Sequence, residues 1–373
     1  MADKLKFLFL EPFFGGSHRD FAEGLVAHSR HHIDLVTLPA RFWKWRMRGA
    51  AITFARKIGS LEGYDGLVLT DLMSLADFKA LTPPPFPPSL VYFHENQLTY
   101  PLAPGERMDY QFGFTGLTTA LTADRLLFNS HFHRDAFFEQ LPSFLNMMPE
   151  YVPGWAIDAI REKSAVRYPG CHFPMTLALP DHRDKLPVVI WNHRWEFDKN
   201  PDAFFNTLER LVAQDVDFRL AILGENFQAV PKAFIRAREQ FSGRILRYGY
   251  EAKREDYQRW LRRGRVVVST ADQENFGISI VEAVRWGCFP LLPRRLVYPE
   301  IIPEAFHRDC LYTSPSELVH KLSLLLTDGR IDPDKRLELS QAMAAYSWEG
   351  VIGTYDDELE RLAAGEFNEN LSI

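Results

Sequence analysis

The sequence predicts an α/β protein with two doubly wound parallel sheets. Short β-branched or aromatic runs such as Leu5–Leu10, Gly66–Thr70 and Arg265–Thr270 alternate along the whole chain with longer stretches of helical period. Polar or glycine-bearing loops come directly after those runs, as they do where parallel sheets bind ligands. At 373 residues the chain can also bury two separate cores. The expected division is an N-terminal domain over 1–180 and a C-terminal domain over 187–348. Between them, Pro180–Pro187 (PDHRDKLP) has linker composition, and a helix over 349–373 is expected to complete the first domain.

Composition narrows the classes. Hydrophobic residues at 46% and charged ones at 25% are those of a soluble globular chain. A net charge of −6 argues against a protein that coats nucleic acid as a whole, while permitting a local basic surface. Cys171, Cys288 and Cys310 lie far apart, which supports neither a disulfide framework nor a cysteine zinc site, so a reducing, cytoplasmic setting is expected. The N-terminal apolar run is cut by Glu11 and reads as a first strand, not a signal peptide. No apolar run is long enough to span a membrane.

In the first half, strand Leu5–Leu10 leads into the loop Glu11–His18 (EPFFGGSH) and a helix from about Arg19 to His28. A glycine pair there can bring backbone N–H groups to a phosphate or simply make a turn. After strand Ile33–Leu38, the segment Arg41–Lys57 holds six basic residues interleaved with Phe42, Trp43 and Trp45. Cations neutralise phosphates and indoles stack on bases, so the combination suits RNA. An amphipathic helix with core aromatics and solvated arginines would have the same composition. Strand Gly66–Thr70 ends at Asp71. The strand Leu90–Phe93 ends in His94, Glu95, Asn96 and Gln97, four polar residues in a row that packing alone does not explain. Leu126–Asn129 is a further strand, and Pro142–Arg167 reads as irregular and helical.

In the second half, strand Val188–Trp191 opens onto NHRWEFDKNPD, with Arg194 and Lys199 ahead of a helix near Pro201. A guanidinium plus an ammonium can hold a diphosphate and stabilise it as it leaves. Further strands are expected at Leu220–Leu223 and Ile245–Tyr250. Arg265–Thr270 then gives way to a loop, a helix over Ile278–Trp286 and a strand from Phe289. Glu274 lies on that loop and Glu282 on that helix, with seven residues between them. Carboxylates offer only acceptors and suit paired sugar hydroxyls. The N–H groups of Phe276, Gly277 and Ile278 open the helix without partners, and Gly277 allows close approach.

The Glu274-x7-Glu282 element, with Phe276-Gly277 inside it, resembles the signature of the retaining family-four glycosyltransferases. The segments LPARFWKWRMR, YFHENQLTYP, YQFGF, NHRWEFDKNP, LGENF and GCFPLLPRRLVYPE resemble, more narrowly, the tRNA-queuosine mannosyltransferase family; together they span about Phe7 to Trp348. The resemblance implies a GT-B fold, two Rossmann-like domains facing each other across a cleft, with the last helix returning to the first. It implies GDP-mannose as donor and, as acceptor, the queuosine base at the wobble position of a tRNA for aspartate. No cofactor, metal or protein partner is implied.

On this resemblance, Gly16, Arg194, Lys199, Glu274, Asn275, Phe276, Gly277, Ile278 and Glu282 would bind the donor, with Glu274 on the sugar and Glu282 on the ribose. Ser17, His18, Arg41, Trp43, Lys44, Trp45, Arg46, Arg48, Asp71, Glu95, Asn96 and Gln97 would meet the acceptor and its tRNA. His94, Glu274, Arg194 and Lys199 would serve the chemistry, a same-face substitution through an oxocarbenium-like state. Two other readings fit parts of the sequence: a family-four enzyme acting on a lipid or envelope glycan, and a catalytically idle RNA-binding protein on the same scaffold.

Overall fold

The structure, a computed structural model, describes residues 4–102, 105, 107–179, 184–225, 230–327 and 331–366. It forms two compact units, Met1–His172 with Trp348–Ile373, and Phe173–Ser347. The division precedes the linker expected at 180–187, because Arg285 Nη2 donates to the carbonyls of Pro174 (2.8 Å) and Met175 (2.7 Å) and ties that segment to the second unit. Residues 180–183 of the expected linker, and Asn226 and Phe227 of LGENF, lie outside the described residues.

The first unit holds strands β1 (Lys6–Phe14), β2 (His32–Pro39), β3 (Gly66–Thr70), β4 (Ser89–Phe93), β5 (Arg125–Phe128) and β6 (Ser164–Val166). They pair in parallel in the order β2-β1-β3-β4-β5-β6. Its helices include α1 (Gly16–His28), α2 (Trp43–Ile58), α3 (Leu75–Leu81), α4 (Tyr110–Thr122), α5 (His131–Leu145) and α6 (Trp155–Arg161). Alternation along β1 sorts the layers, since successive side chains point to opposite faces. Leu8 and Leu10 join Ala50, Phe54, Leu67 and Leu117 in one core, while Phe7 and Phe9 join Phe21, Leu25, Val68 and Tyr92 in another.

That second core is closed by the C-terminal helix Trp348–Ala364, through Trp348, Val351, Tyr355 and Leu359. Gly24 and Gly170 make room for the indole, since a Cβ on either would lie within 2.2 Å of it. Glu358, almost fully buried, receives Arg125 Nε (2.8 Å) and Arg167 Nη2 (2.5 Å), and Asp356 accepts from Ser29 Oγ (2.6 Å). A buried carboxylate is tolerated only when so paired.

The second unit repeats the plan. Its strands are β7 (Val188–Trp191), β8 (Arg219–Leu223), β9 (Ile245–Gly249), β10 (Val266–Val268), β11 (Phe289–Pro293) and β12 (Leu311–Tyr312), paired in parallel in the order β12-β11-β10-β7-β8-β9. Helices α7 (Pro201–Val212), α8 (Lys232–Gln240), α9 (Arg254–Arg263) and α10 (Ile278–Arg285) pack on this sheet or frame its carboxyl edge. Trp191 stacks between Phe204 and Phe234, with centroids at 5.4 and 5.0 Å, anchoring α7 and α8 to the sheet.

Each sheet reverses its strand order once near its middle, between β1 and β3 in the first unit and between β7 and β10 in the second. The loops leaving these strands diverge and open a crevice at the carboxyl edge. Glu11, His18 and Asp71 sit on or beyond the first pair of strands, Arg194, Lys199 and Glu274 beyond the second.

Candidate active site

In the first unit β1 runs past Leu10 to Phe14, and α1 begins at Gly16, so the predicted loop Glu11–His18 shrinks to a sharp corner. The reason is Glu11. It is completely buried, its Oε1 accepts from Phe13 N at 2.8 Å, and His18 Nδ1 approaches the same oxygen at 3.2 Å. The ring of His18 lies 4.1 Å from that of His94, which comes from the end of β4. Asp71 Oδ1 accepts from His94 N (2.9 Å), and Asn129 Nδ2 donates to the His94 carbonyl (2.9 Å), so three strand ends fix the histidine.

This cluster separates charges. Burial opposes the charged form of His18, yet Glu11, aided by Asp71 and Glu95, outweighs it and raises its pKa. Burial, with positive charge on His18 nearby, holds His94 well below the usual range. Burial also pushes Asp71 up to about 8, the Glu95 charge adding to the effect. The two imidazoles are thus shifted in opposite directions, His18 toward its charged form and His94 toward its neutral form, which suits two histidines to different tasks. A carboxylate oxygen of Glu11 and ring nitrogens of His18 and His94 lie within 4.8 Å of one another, a grouping of divalent-ion type, although the Glu11–His18 ion pair already engages two of the three.

The Arg41–Lys57 segment is the helix α2. Its aromatics divide: Trp43 packs on Phe112 of α4 at 5.2 Å, while Phe42 and Trp45 stand 71% and 76% exposed. Met47, Leu72 and Phe112 form a small cluster against which Trp43 and Phe13 pack, and Phe13 meets the edge of His18 at 5.8 Å. The start of α2 is therefore mounted on the same apolar plug as the His18 corner. Arg41 and Lys44 are exposed, as are Gly16 and Ser17. Arg46 donates to the Pro39 carbonyl (3.2 Å) and Arg48 to Thr115 Oγ1 (2.9 Å), so part of the basic stripe also serves the fold. Asn96 is buried and caps its own turn, accepting from Leu98 N (3.1 Å) and Thr99 N (3.0 Å); Gln97 Nε2 donates to Glu95 Oε1 (3.3 Å).

In the second unit, the loops after β7 and β10 are knitted together. The backbone N–H of Asp272 donates to the Asp198 carbonyl (2.8 Å), and Thr270 Oγ1 to those of Lys199 and Asn200. Lys199 is buried; its Nζ donates to the Gln273 carbonyl (2.6 Å) and lies 3.4 Å from Glu274 Oε2 and 3.2 Å from Asp198 Oδ2. Arg194 is more open, paired with Glu196 at 3.3 Å. The structure therefore brings Lys199 against Glu274.

Glu282 is buried on α10, where Oε1 takes Arg254 Nη1 at 3.1 Å and the Tyr257 hydroxyl also bonds the carboxylate. Asn192 Nδ2 donates to that hydroxyl (2.9 Å), orienting it. Gly277 caps α10 at φ 83, a left-handed conformation that costs glycine nothing, and presents the first-turn N–H groups of Ile278 and Ser279. The Phe276 ring is buried, packed on Tyr346 at 5.2 Å. Asn275 Oδ1 accepts from Gln273 Nε2 (3.0 Å) and braces the loop.

Several members of these clusters escape sequence reasoning. His193 is buried, bonded to the Val268 carbonyl and pushed by burial and Lys199 down to about 3, so it stays neutral 3.9 Å from Glu274. Asp198, Arg254 and Tyr257 complete the second unit's cluster, and Glu11 the first's. The usable signal for Glu11 is an acid closing an apolar strand.

A parallel α/β unit with acids and a cation at its switch-point loops fits an enzyme of glycosyl transfer, and comparison points to the same class. Residues 180–346 match the family described as glycosyl transferases group 1. Sucrose-phosphate synthase from Thermosynechococcus elongatus shares the fold at TM-score 0.73 and 14% identity, over 97% of this chain and all of that one. The Anabaena protein HepE, solved in complex with UDP, does so at 0.64 and 16%, over 95% of this chain and all of its own. The protein is a glycosyltransferase of the GT-B class.

The first unit narrows this further. Residues 6–171 match the family tRNA-queuosine alpha-mannosyltransferase N-terminal. A tRNA-queuosine alpha-mannosyltransferase of Drosophila melanogaster is 36% identical over an alignment that covers 84% of this chain and 85% of that protein. The chain belongs to the tRNA-queuosine alpha-mannosyltransferase family.

Proposed function

We propose that the protein transfers mannose from GDP-mannose to the queuosine base at the wobble position of a tRNA for aspartate, with retention of the α configuration. The observation that carries this reading is the mounting of the aromatic, basic start of α2 on the plug that touches His18, beside His94. RNA binding and acceptor-side chemistry need adjacent surfaces, and the nearness of α2 to the histidine cluster within this unit supports the reading.

In this reading Glu274 accepts from the mannose hydroxyls and Glu282, with Arg254 and Tyr257, from the ribose. The N–H groups opening α10 receive donor oxygens. As the bond from the anomeric carbon to the diphosphate breaks, Lys199 and Arg194 stabilise the negative charge that develops. The queuosine hydroxyl enters on the same face, forming the new C–O bond, and gives its proton to the departing phosphate oxygen. His94 would position the sugar or stabilise the positive charge that develops on it, and His18 would serve the acceptor. Lys199 and Arg194 take the part a divalent metal plays elsewhere, and the protein acts in the cytoplasm. No helix among the described residues is long and apolar enough to cross a membrane.

A donor panel tests it. Tracking hexose transfer to tRNA from GDP-mannose, UDP-glucose and UDP-galactose, with EDTA in parallel, should give transfer from GDP-mannose alone, insensitive to chelation, and an α-linked product by NMR. Equal transfer from a uridine donor, or loss on chelation, contradicts the reading.

A further inference from the structure

Three oxygens crowd the Lys199 ammonium, all of them within the second unit: the Gln273 carbonyl at 2.6 Å, Asp198 Oδ2 at 3.2 Å and Glu274 Oε2 at 3.4 Å. An ammonium has three N–H donors, so its capacity is taken. A phosphate oxygen can join it only where one of the three gives way. The Gln273 carbonyl is held by the loop, since the backbone N–H groups of Asp272 and Gln273 both donate to the Asp198 carbonyl, at 2.8 and 3.3 Å. Asp198 cannot yield either. Its side chain is completely buried, and among the described residues neither carboxylate oxygen accepts a hydrogen bond, so the ammonium is what makes a charge tolerable there. Glu274 is the exception. Its side chain keeps 16% of its surface, and its contact with the ammonium is the longest of the three. On its other side it borders Gly277, where a Cβ would touch Glu274 Cγ at 3.4 Å.

We propose that Lys199 and Glu274 form a partner-exchange latch, pinned at Asp198, that makes the site select an intact nucleotide sugar over the bare nucleoside diphosphate. This deepens the donor half of the reading above and rests on it. The ammonium stays on Asp198 and trades Glu274 for a phosphate oxygen. The released carboxylate then lacks a donor unless sugar hydroxyls take the ammonium's place. A nucleotide sugar supplies both ends of the exchange. A nucleoside diphosphate supplies one, and leaves Glu274 unpaired beside the negative charge of the ligand. Asp198 is therefore a positioning residue: it decides which carboxylate lets go.

The test is calorimetric titration of the whole chain, without tRNA, by GDP and by GDP-mannose. Glu274→Gln removes the charge that competes for the ammonium and keeps the shape of the side chain. GDP should bind this variant about three- to tenfold tighter than it binds the wild type, while GDP-mannose gains nothing, so the preference for donor over GDP falls by the same factor. Asp198→Asn should shift that preference in the same direction, because an ammonium without its buried anchor can take a phosphate oxygen and keep Glu274. A residue that only braced the loop would loosen GDP when replaced, and that result in Asp198→Asn removes Asp198 from the latch. GDP binding that is unchanged or weaker in Glu274→Gln overturns the exchange, even where the wild type binds both nucleotides and transfers mannose. If Asp198→Asn fails to fold, Glu274→Gln decides alone. A wild type that binds neither GDP nor GDP-mannose defeats the donor reading instead, and the latch with it.

Discussion

Lys199 Nζ stands 3.4 Å from Glu274 Oε2, although 75 positions separate the two residues in the chain. The 3₁₀ turn Phe197–Lys199 after β7 and the loop after β10 deliver the pair to one switch point, and the buried Asp198 carboxylate fixes the ammonium from its other side at 3.2 Å. A buried cation between two carboxylates is costly to assemble and serves poorly as a stabilising device, which favours a functional reason for it.

Glu274→Gln should lower kcat about 100-fold or more, since on the proposed reading it removes an acceptor for the sugar while keeping size and most packing. The melting temperature should shift by only a few degrees. Near-normal kcat in the purified variant would remove Glu274 from the chemistry.

Glu282→Gln should act differently. Arg254 and Tyr257 hold its carboxylate, which on the proposed reading accepts from a ribose diol, so the expected effect is a rise of about tenfold in donor KM with a smaller change in kcat. Calorimetric titration of the nucleoside diphosphate alone should show the same loss of affinity.

The α2 surface predicts a salt signature. Replacing the exposed Arg41 and Lys44 by Gln should weaken tRNA binding and flatten the dependence of log K on log salt by about 0.7 to 0.9 per charge removed. Trp45→Ala should cost about 1 to 3 kcal/mol of tRNA binding without altering the fold, as expected for an exposed indole that stacks on a base. Arg46 and Arg48 are poorer probes because their bonds to Pro39 and Thr115 confound binding with stability.

Asp71 supplies a pH test. Burial raises its folded-state pKa from 3.8 to about 8, so the folded protein holds a proton that the unfolded chain releases. That contribution to stability is fully present below about 3.8 and is lost as pH rises through about 8. Asp71→Asn imitates the protonated form. Its melting temperature should gain on that of the wild type steadily between pH 4 and 9, whereas parallel curves would show that Asp71 is ionised throughout.

Much of this fold is legible in the sequence because its strands are buried on both faces and read as short apolar runs. Gly66–Thr70 and Val188–Trp191 come out residue for residue. β6 escapes because Ser164–Val166 is a half-buried edge strand with no apolar run to mark it. The corner at Glu11 is misread for the opposite reason: a charge inside an apolar run looks like the end of a strand, and only the distant His18 and Phe13 N–H make it tolerable within one. Glu274 and Glu282 stand out in the sequence by their spacing, but the residues gathered around them, Asp198, His193, Arg254 and Tyr257, come from other loops and helices and leave no local trace. Nor does composition say which indole of α2 packs inward; the contact of Trp43 with Phe112 decides it.

The decisive measurement is the mass of the wobble nucleoside recovered from queuosine-containing tRNA for aspartate after incubation with the protein and GDP-mannose. Queuosine heavier by one hexose is expected, formed by the wild type and abolished in Glu274→Gln. Unmodified queuosine under conditions where the protein binds both the tRNA and the donor would contradict the proposed transfer.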